Sequence, residues 1–392
     1  MKKKGKTIVL LLGAGFPLMW GAPSSNELLA KIIEDRKYIY DSDRTWGKFL
    51  YDTLVSFYEG EENTNVNFET IIAALEAISN YYFAITNEGR NTYNTSLTPA
   101  MFTIREAIGN IVNPKDDVRE YCFDMYKHFV QLILESIENY DNKVCEQVEI
   151  NALFNKFIMN LMSKNYSIKI YSTNYDSVVP QIISNMKIYN GEQYRLHQGI
   201  TYKPDYIRNR ESRLSYFSLH GSIYWDVRYN SDYYYEVVKS SFVEGVKPLW
   251  ADGGNPNEQL IFSPIIVGYT KTQRCMSFPF SIGFTNFIND CCDCDKILAI
   301  GYSFSDPHIN TIIYNHINHR KVQLINIGLV EKNCNFDHTN EYLKISGFVK
   351  RIYKEKEDEE WFYGLNNEFL AYKKGTKYFL ENVNNWKHID FI

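Results

Sequence analysis

Thr7–Leu12 is a short, continuous apolar run that stops on the glycines of Gly13-Ala14-Gly15. A segment this brief, with no polar face, has the form of a strand buried on both sides, and such strands belong to parallel sheets covered by helices. Comparable runs recur at Ser167–Ser172, Tyr216–Leu219, Gln259–Phe262, Lys296–Ile300 and Val322–Ile327, each ending in a polar turn that carries Gly or Pro. The expected fold is α/β, a Rossmann-like doubly wound parallel sheet with ligands at the carboxyl ends of its strands.

The stretch between the first two strands is too long for one crossover helix. Asn67–Ile85 and Asp117–Tyr140 place apolar residues three and four apart, so they read as amphipathic helices; Glu149–Ser163 reads as another, leading into the second strand. These predict a helical insertion over about 24–165, with a loop at Asn87–Pro99 inside it. Gly191 to Gly254 reads as irregular. The sheet-bearing domain is expected over 1–330, and 331–392 as a C-terminal extension that contacts an oligomer mate or partner. The charge run Lys354–Glu360 in that extension fits a solvated face or a docking element.

Composition narrows the class. Of 392 residues, 45% are hydrophobic and 23% charged, which suits a soluble globular protein. A formal charge of −5 argues against direct binding of nucleic acid, although Lys203, Arg208, Arg210 and Arg213 with Tyr202, Tyr206 and Tyr216 form a basic aromatic stretch on which bases could stack. The high aromatic content, 16%, fits a compositional bias of the source genome. Lys2–Lys4 before the first apolar run imitate a secretory signal, but Gly13, Gly15 and Pro17 break it early, and no stretch approaches the ~20 apolar residues of a spanning helix. A cytoplasmic protein with no membrane segment is expected. Seven cysteines are present; Cys291, Cys292 and Cys294 crowd together, with neither a further Cys-x-x-Cys pair nor a histidine nearby to finish a zinc site. Reduced structural thiols and no metal are expected.

Chemistry-bearing residues gather at the predicted strand ends. Gly13-Ala14-Gly15-Phe16 closes the first strand and opens a helix that can accept Pro17; such glycines admit a pyrophosphate to the backbone, or simply make a tight turn. Ser172-Thr173-Asn174-Tyr175-Asp176 ends the second strand with an amide and a carboxylate that could face a crevice or form an Asx turn. Leu219-His220-Gly221-Ser222 puts a histidine at a strand end, where it could act as a base or be purely structural. His197 looks similar but follows no apolar strand. In Ile300-Gly301-Tyr302-Ser303-Phe304-Ser305-Asp306-Pro307-His308-Ile309-Asn310, Asp306 fits a helix N-cap and Ser303 or Ser305 a phosphate contact. Asn326 ends the last strand, where it could bind a ribose hydroxyl.

In this order the motifs resemble the sirtuin family. Gly13-Ala14-Gly15 is similar to its opening Gly-Ala-Gly, with Gly21 and Pro23 echoing the Gly-x-Pro that follows. Thr173-Asn174-Tyr175-Asp176 is similar to Gln-Asn-x-Asp, His220-Gly221 to the catalytic His-Gly, Gly301–Ser303 to the phosphate-contacting Gly-Thr-Ser, and Leu324-Ile325-Asn326 to the closing strand. Pro17 replaces the usual serine, Ser24-Ser25-Asn26 lacks the usual arginine, Gly328 stands where an acidic ribose ligand often sits, and no zinc module follows His220. That combination resembles the bacterial sirtuin-like effectors of anti-phage defence, which deplete NAD⁺ and work with a HerA-type ATPase, an Argonaute or a fused sensor domain.

The resemblance implies an NAD⁺ hydrolase with Asn174 and His220 as catalytic residues. It implies that Gly13, Ala14, Gly15 and Phe16 hold the nucleotide from the first strand and Thr173 and Asp176 from the second. Gly301, Ser303, Asp306 and Asn326 would hold it from the last two. It further implies a homo-oligomer and a HerA-type ATPase partner. A protein deacylase or ADP-ribosyltransferase and a non-catalytic NAD⁺ or ADP-ribose sensor remain alternatives.

Overall fold

Ile8 to Leu12 are fully buried because strand β1 (Thr7–Leu12) has a parallel neighbour on each side, with Leu10 opposite Ile170 on one and Leu298 on the other. A computed structural model describes residues 6–58, 66–86, 99–111, 118–184, 197–198, 213–230, 234–239, 243, 245–250, 259–268, 271–277, 279–320, 322–328, 354–357, 359–364, 369–386 and 389. The chain divides into two compact units. The first comprises Met1–Ala22, Tyr140–Ser222 and Cys275–Ile392, the second Pro23–Asn139 and Ile223–Arg274.

The first unit is built on one sheet. After β1 come β2 (Ser167–Ser172), β3 (His197–Gln198) and β4 (Leu214–Ser218). The strands β5 (Trp225–Asn230), β6 (Tyr234–Lys239), β7 (Lys247–Trp250) and β8 (Gln259–Phe262) follow in the second unit. Then β9 (Lys296–Ile300), β10 (Gln323–Ile327), β11 (Lys354–Glu357), β12 (Trp361–Gly364) and β13 (Phe369–Tyr372) return to the sheet, whose order is β11-β12-β13-β10-β9-β1-β2-β4-β3. Pairing is parallel from β3 to β13, while β12 and β11 add antiparallel at one edge. The chain leaves β1 toward β2 and β4, then returns to β9 on the opposite side. The carboxyl ends of β1 and β9 therefore flank a topological switch point, where open α/β sheets bind ligands.

Helices cover the sheet as their sequence spacing requires. In helix Phe280–Asp293 the buried residues Phe280, Gly283, Phe284, Phe287 and Cys291 fall on one stripe. Gly283 lets that helix approach the end of β4, since a Cβ there would lie 3.3 Å from the Ser218 carbonyl oxygen. Helix Val148–Ser163 buries Phe154, Phe157, Ile158, Leu161 and Met162, and Phe157 meets Phe379 and Trp386 edge-on. The segment after 331 thus supplies three strands and aromatic packing to the sheet unit.

The second unit holds helices Ser25–Glu34, Trp46–Tyr58, Phe68–Thr86 and Pro99–Ile111, most of Val118–Asp141, and two hairpins. Ser24 caps the first of these helices in a reciprocal box with Glu27. The run Gln259–Phe262, expected in the parallel sheet, is strand β8 and pairs antiparallel with β7. Three consecutive apolar residues encode a strand but not the direction of its partner. The expected loop within 87–98 and much of the 191–254 region lie outside the described residues. No described helix is long and apolar enough to cross a membrane.

Candidate functional site

All the site residues expected from the sequence lie in the sheet unit, and the switch point is sealed by main chain. Gly13 N–H donates to the Ile300 carbonyl at 3.0 Å and Gly15 N–H to the Gly301 carbonyl at 2.8 Å. The contact is too close for side chains. A Cβ on Gly13 would lie 2.4 Å from the Tyr302 Cα, and one on Gly301, at φ +62°, would lie 2.3 Å from the Phe16 nitrogen. The glycines are thus required by the neighbouring loop itself. After them comes a single 3₁₀ turn, Pro17–Trp20, closed by Gly21 at φ 85°, in place of a full helix. Phe16 N–H is taken by the Gly13 carbonyl at 2.9 Å, and the Phe16 ring is buried against Trp20 and Phe154. Ala14 is the exposed tip.

On the β9 side, Tyr302 and Phe304 turn inward while Ser303 and Ser305 face solvent, their hydroxyls 3.0 Å apart. Phe304 adopts φ 58°, a left-handed conformation disfavoured for an aromatic residue. Asn310 holds it there: its amide donates to the Phe304 carbonyl at 2.7 Å and accepts from the Tyr302 hydroxyl at 3.2 Å. Asp306, buried, precedes helix Pro307–Arg320. Beside this loop, Asn326 at the end of β10 is buried, and its Oδ1 has no hydrogen-bond partner among the described residues. Among the described residues, a Cβ on neighbouring Gly328 would meet nothing closer than that Oδ1, at 3.9 Å. An orphaned buried acceptor costs about 1–3 kcal/mol unless a hydroxyl or water reaches it.

On the β2 side, side chains add to the main-chain bonds. Thr173 N–H donates to the Leu12 carbonyl at 2.9 Å. The Asn174 amide nitrogen donates to the Gly13 carbonyl at 3.0 Å, fixing the side chain so that its Oδ1 is the atom left to accept. Asp176 is buried, one oxygen accepting from the Tyr140 hydroxyl at 2.7 Å and the other from Val178 N–H at 3.1 Å. Behind it, the fully buried Asp141 accepts from Ser177 N–H at 2.8 Å and from the Ser177 hydroxyl at 2.7 Å. Burial first, and then the Asp141 charge, pushes the Asp176 carboxyl up to about 7, against the lowering pull of the Tyr140 hydrogen bond. Burial and the same carboxylate hold the Tyr140 and Tyr216 hydroxyls above their ordinary range.

Past the end of β4, His220 is 2% exposed, beside Gly221 at φ 92°. Its Nε2 lies 3.4 Å from Nε2 of His308, and Phe284 packs near both rings. A ring nitrogen of each histidine and the Cys275 Sγ lie within 4.8 Å of one another. This three-residue group could hold a metal ion, and cysteine spacing alone could not reveal it. The crowded cysteines also acquire a histidine: Cys292 Sγ stands 3.7 Å from His316 Nε2.

The fold thus brings Gly13–Gly15, Thr173, Asn174, Asp176, His220, Gly301, Ser303 and Asn326 to the carboxyl ends of β1, β2, β4, β9 and β10. His197 lies on the short edge strand β3. Of the basic aromatic stretch, Arg213 donates to the Met162 carbonyl at 3.1 Å and Tyr216 is buried; Tyr202, Lys203, Tyr206, Arg208 and Arg210 lie outside the described residues. The residues missed from sequence are Tyr140, Asp141, Cys275 and His308. Only His308, inside the motif after β9, stood within a segment marked for chemistry; Tyr140 closed one marked as a helix.

No family model matches the chain, and no curated protein matches it. Among solved structures it is similar to a Sir2 homolog–NAD complex, at 14% identity over 83% of this chain and 78% of that one, with a TM-score of 0.35. It is also similar to a mutant Sir2 homologue in complex with 2'-O-acetyl ADP ribose, at 13% identity over 83% and 81%, with a TM-score of 0.33. At that identity and overlap neither likeness bears on the chemistry of the site, which stands on its own residues.

Proposed function

We propose that this chain binds NAD⁺ across the switch point and hydrolyses its nicotinamide–ribose bond, giving nicotinamide, ADP-ribose and a proton. What chiefly supports the reading is the convergence of Asn174, His220 and the orphaned Asn326 acceptor on strand ends around the glycine seam. Asn326 Oδ1 suits a ribose hydroxyl, and exposed Ala14 and Ser303, on the two loops joined at the glycine seam, suit the pyrophosphate. Loss of nicotinamide builds positive charge on the ribose, so the reaction needs oriented dipoles more than a strong acid. Asn174, pinned through its amide nitrogen, would present Oδ1 to the ribose or to the attacking water. His220 would take the proton from that water or from a ribose hydroxyl. Asp176, with both oxygens engaged inside the protein, would act by positioning the β2 turn.

The test is nicotinamide release from NAD⁺ by the purified chain. Asn174→Ala and His220→Ala should each lower kcat by roughly 10²–10⁴-fold in a protein that still folds, whereas His197→Ala should be nearly silent. Wild-type turnover in a folded His220→Ala protein would sink the assignment. The same reading carries a role in anti-phage defence by NAD⁺ depletion, self-assembly into a homo-oligomer, and control by a HerA-type ATPase. An enzyme that destroys NAD⁺ must be kept inactive until needed. Full activity of a strict monomer, by light scattering at micromolar concentrations, would count against that control.

A further inference from the structure

We infer that His220, Cys275 and His308 form a binding site for a zinc-class transition-metal ion. The three come from separate elements: the turn after β4, the end of helix Lys271–Cys275, and the first turn of helix Pro307–Arg320. Their ligand atoms lie within 4.8 Å of one another, and the two Nε2 atoms are 3.4 Å apart. That separation is long for an N–H···N hydrogen bond. It matches the edge of a tetrahedron whose centre is ~2.05 Å from each nitrogen, about 3.4 Å, the geometry zinc imposes on imidazoles. Cys275 is 2% exposed and His220 equally so, which means both donors are already largely desolvated. His308 is only half-buried, leaving an approach from its side for an ion and for a fourth, exchangeable ligand. Phe284 supplies an apolar wall against both rings. Two imidazoles with a thiolate select zinc, cobalt or copper over magnesium or calcium, which prefer oxygen.

Resting on the hydrolase reading is a consequence for control. An ion on His220 Nε2 occupies the lone pair that must accept the proton, so metal binding and turnover exclude one another. Zinc would hold the enzyme off, and a chelator would release it.

Cobalt(II) is the probe, added to full-length protein freed of metal. One equivalent should give tetrahedral d–d bands and a thiolate-to-cobalt charge-transfer band, both displaced by zinc. Cys275→Ser should remove the charge-transfer band. His308→Asn, at a half-exposed position, should weaken cobalt binding by at least the ~10–100-fold that loss of an outer-shell partner costs. Absence of the bands, or bands surviving both substitutions because the ion sits at Cys292 and His316, would overturn the site. Zinc should inhibit NAD⁺ turnover in the wild type but not in Cys275→Ser; zinc-insensitive turnover in a cobalt-binding wild type overturns the control. Cobalt bands without turnover under any condition would instead sink the hydrolase reading and leave the site standing.

Discussion

Toward β9, the strand ends around β1 are joined by main chain: Gly13 and Gly15 donate to Ile300 and Gly301 at distances that admit no side chain. Toward β2 and β4, main-chain bonds from Thr173 and Leu219 are joined by buried polar side chains, Asn174 on the Gly13 carbonyl, Asp176 under Tyr140, and His220 against His308. Main-chain contacts keep their geometry at any pH, so the β9 side suits invariant binding of a phosphate and a ribose. Buried ionisable groups change strength with protonation and with bound ions, so the β2–β4 side suits chemistry and its control. One sheet edge thereby separates holding from reacting, and substitutions on the two sides should fail in different ways.

The largest effect belongs to the seam. Gly301→Ala forces a Cβ to 2.3 Å from the Phe16 nitrogen while the backbone stays at φ +62°, so the loops after β1 and β9 must part. The expected cost is about 3 kcal/mol or more, a large share of the ~5–15 kcal/mol that folds a domain. Gly21→Ala is the control, since it has φ +85° but, among the described residues, nothing within 4 Å of the new Cβ. It should cost only about 1–2 kcal/mol, the strain of the left-handed backbone. Urea midpoints compare the two, and equal costs would mean the seam does not depend on close approach.

On the reacting side the mark is pH. The folded chain keeps the Asp176 proton up to about 7, whereas the ordinary carboxyl value is 3.8. Between those values the folded state binds the extra proton, so stability falls as pH rises through the window and the loss is complete above it. Asp176→Asn should flatten this slope. It should also raise stability at pH 8 by about 1–3 kcal/mol, since it removes a buried charge but gives up one of two accepted hydrogen bonds, worth about 1 kcal/mol. An unchanged stability–pH curve would show that Asp141 and burial do not raise the carboxyl. Turnover should fall even so, because Tyr140 and the β2 turn lose their present geometry.

What could be read in the sequence divides along the same line. β1, β2 and β9 fall on Thr7–Leu12, Ser167–Ser172 and Lys296–Ile300 as expected, because each is a short, mainly apolar run stopped by a polar or glycine turn. Helices Phe68–Thr86 and Val118–Asp141 follow from their three- and four-residue spacing. Glycine in Gly13-Ala14-Gly15 was visible, but its purpose was not: the steric demand comes from Gly301 and Tyr302, far along the chain. Tyr140 meets Asp176 across 36 residues and His308 meets His220 across 88, and no local period records such meetings. β8 shows the complementary failure, a correct strand whose partner and unit were not encoded in its four residues. Local order is written in periodicity; convergence is written in topology.

The smallest effect should come from Asn326, and it sharpens the comparison most directly. Among the described residues its Oδ1 is buried without a partner, so in the free protein that atom adds little to stability. Asn326→Ala is expected to leave the melting temperature unchanged or slightly raised. Loss of a single hydrogen bond to a ribose hydroxyl, worth about 0.5–1.5 kcal/mol, should raise KM for NAD⁺ by roughly 2- to 10-fold and leave kcat near the wild-type value. Substitutions at Asn174 or His220 should do the reverse, lowering kcat with little change in KM. If Asn326→Ala instead lowers kcat at constant KM, the β10 end takes part in the reaction and the division at β1 fails. If it lowers stability at constant KM, Asn326 serves the fold, and the ribose must be held from elsewhere.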